Sequence, residues 1–268
     1  MTTFNPFSER RSGLLRNQRM ERHTAAAAFP LTRWSMVLQA RQDGHSEHSR
    51  AALEQLCQQY WFPLYAFARR RGQSPADAED LTQGFFAELI SAKLFDLADP
   101  AQGRLRTFLL AVFQRHLADQ HRRDHALKRG GGRPVISIEL DAAEDRLRAE
   151  LADHETPESI FDLRWAVALL GAVVASLEQE YAAAGKDAHF EALRPFLTGA
   201  QAYAAGYEQL ARSLGLSNVS ARQAVHRLRE RFRELLRRGV ADTLREPTPA
   251  AIDEELAALK LTLARSGI

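Results

Sequence analysis

YEQLARSLGLSNVSARQAVHRLR, residues Tyr207–Arg229, is the stretch on which the reading of this chain turns. Leu210, Ala211 and Leu214 recur at helical spacing and form the inward side of a short helix. Gly215 follows, where a turn needs a positive φ that glycine adopts without a Cβ penalty. Leu216 plugs the corner and Ser217 is placed to cap a second helix. In that helix Ala221, Ala224, Val225, Leu228, Phe232 and Leu235 point inward. Ser220 stands at its exposed N-terminal end, and Arg222, Gln223, His226 and Arg229 are left outside. This is the pattern of a helix-turn-helix whose second helix is free to enter a major groove. Arginine can bond guanine bidentately and glutamine can do so with adenine.

Downstream, the positive face runs on through Arg233, Arg237 and Arg238, which suit phosphates. Residues 222–238 hold seven arginines against Glu230 and Glu234. Beyond Gly239, Ile252, Leu256, Leu259 and Leu263 form a short amphipathic stripe that can fold back or bind a partner.

Upstream the periodicity is also helical. Leu53, Leu56, Tyr60, Leu64 and Phe67 make one stripe; Ala78, Leu81, Phe85 and Leu89 make a second; Leu105, Phe108, Leu109, Val112, Phe113 and Leu117 make a third. The second helix starts with Ser74 as cap, Pro75 in the first helical position and Asp77 as the capping-box acid. Phe86 and Ile90 widen its apolar surface, which hints at a protein partner. Gly130-Gly131-Gly132-Arg133-Pro134 stops the third helix, VISIEL (135–140) alternates briefly as an extended run would, and Thr156-Pro157-Glu158 opens a new helix. The expected fold class is all-α. The expected parts are an N-terminal extension (1–30), a helical domain (31–130), a linker (131–156), a helix-turn-helix domain (157–240) and a C-terminal extension (241–268).

Composition narrows the function. A chain of 268 residues with 45% hydrophobic and 26% charged residues is expected to be globular. No continuous apolar run nears the roughly 18 residues of a membrane span, so no membrane partner is expected. The basic N-terminus lacks the apolar core of a secretory signal, and Glu9 and Glu21 argue against a mitochondrial transit peptide. Met20 is an alternative start. Cys57 is the single cysteine, which excludes an internal disulfide and a cysteine-cluster zinc site. The expected compartment is cytoplasmic. The absence of HExxH, of a phosphate-binding glycine loop and of a Cys–His pair points away from an enzyme, with no cofactor. His116, His121 and His125 have helical spacing but sit among arginines that repel a metal cation, so solvated or phosphate-facing histidines are expected and no metal site.

The net charge is only +2, yet the charges are segregated. Residues 115–133 are basic through Arg115, Arg122, Arg123, Lys128, Arg129 and Arg133; residues 139–162 are acidic; residues 222–238 are basic again. A chain with two separated basic helices fits a nucleic-acid partner touched twice.

Three of these segments, in this order, resemble the sigma-70 family, and in particular small sigma factors of the extracytoplasmic-function type. DAEDLTQGFFAELI (77–90) resembles the family's polymerase-binding helix. GRLRTFLLAVFQRHLADQHRR (103–123) resembles the melting and promoter-reading helix that follows. YEQLARSLGLSNVSARQAVHRLRERFRELL (207–236) resembles the promoter-binding helix-turn-helix. The resemblance implies that Asp77, Glu79, Asp80, Leu81, Gln83 and Phe86 contact the clamp coiled coil of the largest subunit of core RNA polymerase, whose flap is a further contact. It implies that Arg115, His121, Arg122, Arg123, Lys128 and Arg129 bind and help melt the minus-ten element of promoter DNA. Ser220, Arg222, Gln223, His226, Arg227 and Arg229 would read the minus-thirty-five element, and an anti-sigma factor is an implied regulator. The extensions, the long linker, Ala221 where the family often has valine, and the partly filled aromatic positions (Phe108, Phe113) depart from the family pattern. A helix-turn-helix regulator that never enters polymerase is the competing reading; it needs a dimer interface and leaves the 77–90 helix unexplained.

Overall fold

The computed structural model describes residues 47–90, 103–127, 156–198 and 204–266. Lys128, Arg129, the N-terminal extension, residues 135–140 and the body of the expected linker lie outside the described residues. Eight α-helices make up the described structure: α1 (Glu47–Arg70), α2 (Pro75–Ile90), α3 (Leu105–Leu127), α4 (Pro157–Ala183), α5 (Asp187–Leu193), α6 (Ala204–Leu214), α7 (Asn218–Ala241) and α8 (Pro249–Arg265). A 3-10 turn, Arg194–Phe196, follows α5. Among the described residues, extended pairing is confined to one antiparallel bridge between Arg104 and Leu244.

Local chemistry sets the helix starts. Ser74 Oγ accepts from the Asp77 backbone N–H at 3.1 Å and donates to the Asp77 carboxylate at 2.6 Å. Thr156, Ser217 and Thr248 each cap a helix by accepting a backbone N–H three residues on. Such a cap contributes about 1 kcal/mol, because it satisfies a donor the helix leaves unpaired.

Two hydrophobic cores form. The first gathers Leu56, Tyr60, Leu64 and Phe67 of α1, Phe85 and Leu89 of α2, and Phe108, Leu109 and Phe113 of α3. Phe161, Trp165 and Leu169 of α4, Val240 at the end of α7, Leu244, and Leu259 of α8 complete it. The second gathers Leu177, Phe190, Leu193 and Phe196 with Leu210, Ala211, Ala221, Ala224, Val225 and Leu228.

Helices on both sides of the expected linker share the first core. Residues Thr32–Ile268 form one compact unit. Its α4 belongs to both cores: Phe161 and Trp165 enter the first, Leu177 the second. The α7 helix does the same, with Leu228 in the second and Val240 in the first. Close approach of the two long helices explains Gly239: a Cβ there would stand 3.1 Å from the Leu169 Cδ1. The polarity of the stretch before Thr156 says nothing about where the next helix docks.

By length and composition α4 is apolar enough to cross a bilayer, while Asp162 and Arg164 interrupt its apolar run. Half of its most apolar window is buried inside the protein, as a helix serving two cores requires.

The C-terminal extension folds back. Ile252, Leu256 and Leu263 pack against the first core beside buried Leu259, and the helix that carries them lies against α4 and α7.

Candidate nucleic-acid and protein-docking surfaces

The α6–α7 pair is built by its turn. Gly215 has φ +63°. Across it the Leu216 N–H donates to the Ala211 carbonyl at 2.8 Å, and Ser217 then starts α7 by accepting from Ser220 N–H at 3.1 Å. Leu210, Ala211, Ala221, Ala224, Val225 and Leu228 are buried between the helices. The inward set was therefore legible from periodicity.

The outward set is more divided than the sequence implied. Arg222, Gln223, His226 and Arg227 are exposed. The Arg222 guanidinium lies 4.6 Å over the Tyr207 ring and reaches Asn218 Oδ1 at 3.4 Å, which orients it at the helix start. His226 Nε2 stands 4.0 Å from Glu230. Ser220 is half-buried and its hydroxyl accepts from Ser217 Oγ at 2.9 Å, so it serves the cap.

Arg229 is turned towards the protein. Its Nε and Nη2 donate to the Phe196 carbonyl at 3.0 and 2.8 Å, satisfying the end of the 3-10 turn. Arginine spacing on a helix face does not reveal that a carbonyl from another element lies within reach. We expect Arg229→Ala to lower stability by about 1.5–3 kcal/mol, the usual worth of a hydrogen bond to a charged group, and to leave base preference unchanged. Urea unfolding beside DNA titration checks both halves.

Further along α7 the cations are paired. Arg231 bridges Glu180 of α4 at 2.6 Å and Glu234 at 2.7 Å; Arg233 pairs with Glu230 and Arg237 with Asp253. The hydrogen bond from Arg231 holds the Glu180 carboxyl below the ordinary carboxylate range. With its folded pKa depressed, Glu180 contributes stability above its unfolded pKa and loses it as pH falls through the folded value. Both partners are more than a third exposed, so we expect Glu180→Gln to remove well under 1 kcal/mol of acid-sensitive stability, seen as a slightly flatter unfolding-against-pH curve below about pH 4.5.

The other candidate surfaces flank the first core. On α2, Asp77, Asp80 and Gln83 are exposed, while Leu81 is half-buried. Glu79 and Phe86 are 8% and 6% exposed. Glu79 accepts from Gln83 at 3.0 Å, and Phe86 stacks edge-on against Phe85 in the core. Phe86 therefore faces inward, and the exposed side of α2 carries Asp77, Asp80 and Gln83.

On α3, Arg115, His121, Arg122 and Arg123 are exposed. Arg122 pairs with Asp119, whose carboxyl it holds below the usual range by a hydrogen bond. His121 and Arg122 line a cleft of about 450 Å³ with Arg71, Gln73, Gln114 and Leu117, which joins the ends of α1 and α3 in one basic rim. His116, expected to be solvated, is 4% exposed. It lies 3.1 Å from Glu88 of α2 and stacks on Phe113, so it ties α2 to α3. Among the described residues no group of three His, Cys, Asp or Glu side chains is placed to hold a metal ion.

Residues 56–126 match the family model for sigma-70 region 2, a span that takes in most of α1, all of α2 and nearly all of α3. The matched span supplies the α1, α2 and α3 residues of the first core. No curated protein and no solved structure matches the chain.

Proposed function

We propose that this protein is a sigma factor of the extracytoplasmic-function type: a cytoplasmic, non-enzymatic subunit that binds core RNA polymerase and directs it to promoters. The observation that carries the reading is the region 2 match in the same chain as a capped helix pair with Arg222, Gln223, His226 and Arg227 exposed on its second helix. Neither feature alone requires polymerase. A regulator acting by itself has no use for a region 2, and region 2 alone reads only half of a promoter.

In this reading the acidic rim of α2 docks on the clamp coiled coil of the largest polymerase subunit, and the exposed arginines of α3 hold and help open the minus-ten element. Opening a duplex costs a few kcal/mol per unstacked base, which phosphate contacts and the bound polymerase must offset. The outer face of α7 reads the minus-thirty-five element beside the polymerase flap. An anti-sigma factor would act by covering one of these surfaces.

Run-off transcription by core polymerase, with and without the protein, on genomic promoter fragments is the decisive test. Start sites that depend on the protein support the reading; a dimer that binds DNA and ignores polymerase sinks it. Asp80→Arg is the cleanest probe of docking, because Asp80 is exposed whereas Asp77 holds a helix cap and Glu79 and Phe86 are buried. We expect core binding weakened about tenfold or more by the reversed charge, with an unchanged thermal midpoint.

A further inference from the structure

Three consecutive acids stand in the first turns of α8: Asp253, Glu254 and Glu255. Each is engaged by an arginine of a basic helix or of the turn leading into one. Asp253 pairs with Arg237 of α7. Glu254 Oε1 accepts from Arg104 Nη2 at 2.6 Å. Glu255 stands 3.1 Å from Arg104 Nε and 2.7 Å from Arg106 Nε, and Arg106 opens α3.

The inner half of this cluster is fixed. Glu255 is 1% exposed. Arg106 lies 4.9 Å over the Trp165 ring and pairs also with Asp162 of α4. Burial works against the Arg106 charge, but its hydrogen bond to Glu255 and the charges of Asp162 and Glu255 outweigh burial and raise its pKa. Main-chain bonds join the same two ends: Leu105 N–H to the Thr243 carbonyl at 2.9 Å, and Arg245 N–H to the Gly103 carbonyl at 3.0 Å.

The outer half is exchangeable. Arg104 and Arg237 are 34% and 44% exposed at their side chains, against 72% for Glu254 and 63% for Asp253. Ion pairs this exposed are weak and screened by salt, and a row of duplex phosphates is a stronger partner for arginine.

We infer that α8 is an internal anionic clasp: Asp253 and Glu254 occupy, in the free protein, arginines at the ends of the two basic helices, and duplex phosphates displace them. The inference rests on α3 and α7 facing DNA. Glu255 with Arg106 is the anchor about which the clasp closes. Part of the positive surface of the free chain is thereby neutralised, so stray binding to DNA is suppressed.

The test uses the full chain with Asp253→Asn and Glu254→Gln together, leaving the buried Glu255 in place so that the fold keeps its anchor. Asp187→Asn with Glu191→Gln is the control, since both are exposed on α5 and the charge change is equal. Binding to a non-cognate duplex is followed by fluorescence anisotropy across salt. The clasp variant is expected to bind about tenfold more tightly than the control at low salt, the difference shrinking as added salt screens the control's Asp253 and Glu254 pairs. Affinity equal to the control at low salt overturns the clasp alone. No duplex binding by any of the proteins overturns it together with the DNA-facing reading beneath it.

Discussion

Trp165→Ala is expected to lower the unfolding free energy by about 3–5 kcal/mol, the range for deleting a large buried aromatic. Trp165 is 1% exposed and lies on the half of α4 that enters the first core. Its indole N–H donates to the buried Tyr60 hydroxyl at 3.0 Å, across to α1. The Arg106 guanidinium covers its ring, so the residue also seats the arginine that Glu255 and Asp162 grip. Removing it opens a cavity, loses an inter-helix hydrogen bond and strips a cation of its platform, all in one place. Trp165→Phe separates these effects: most of the packing volume stays and the N–H goes, so a loss of about 1 kcal/mol is expected, the net worth of one hydrogen bond. Urea unfolding followed by circular dichroism reads both variants. An alanine variant with the wild-type midpoint means that α4 is not the joint between α1 and the rest of the unit.

This joint is also where reading the sequence stopped. Helix positions and starts were legible because they depend on local chemistry: Ser74, Thr156 and Ser217 cap where expected, and the glycine at 215 takes the positive φ that its turn requires. The inward faces of α6 and α7 were legible because apolar residues recur at 3.6 spacing. Docking was not. Ile160, Phe161 and Trp165 read equally well as the core of a separate downstream domain, and nothing in a single sequence says that their partners are Tyr60 and Ala66. The candidate site divided the same way. Exposure of Arg222, Gln223, His226 and Arg227 follows from helical phase. The capture of Arg229 by Phe196, of His116 by Glu88, and the inward turn of Phe86 depend on elements distant in sequence. Burying a charge is costly, so the buried charged residues are those for which a partner is already in place.

The outward face of α7 carries the other large effect, on specificity rather than stability. Arg222→Ala and Gln223→Ala are each expected to erase about 1–3 kcal/mol of discrimination at one base position, the worth of a bidentate contact. Both residues are exposed in the first turns of α7, where the capped N-terminus of a recognition helix meets base edges. Arg222 is held in place by the Tyr207 ring and Asn218, so a bidentate geometry is prepared before DNA arrives. Arg222→Lys keeps the charge but loses the planar fork, so it is expected to resemble alanine in specificity while retaining nonspecific affinity. Arg237→Ala should do the reverse, weakening all sequences alike and lowering the salt slope by about one. Competition binding on a panel of singly substituted promoter duplexes at fixed salt separates these outcomes. If Arg222→Ala and Gln223→Ala shift every duplex equally, then α7 holds the backbone only, and base discrimination has to come from α3 or from the shape of the duplex.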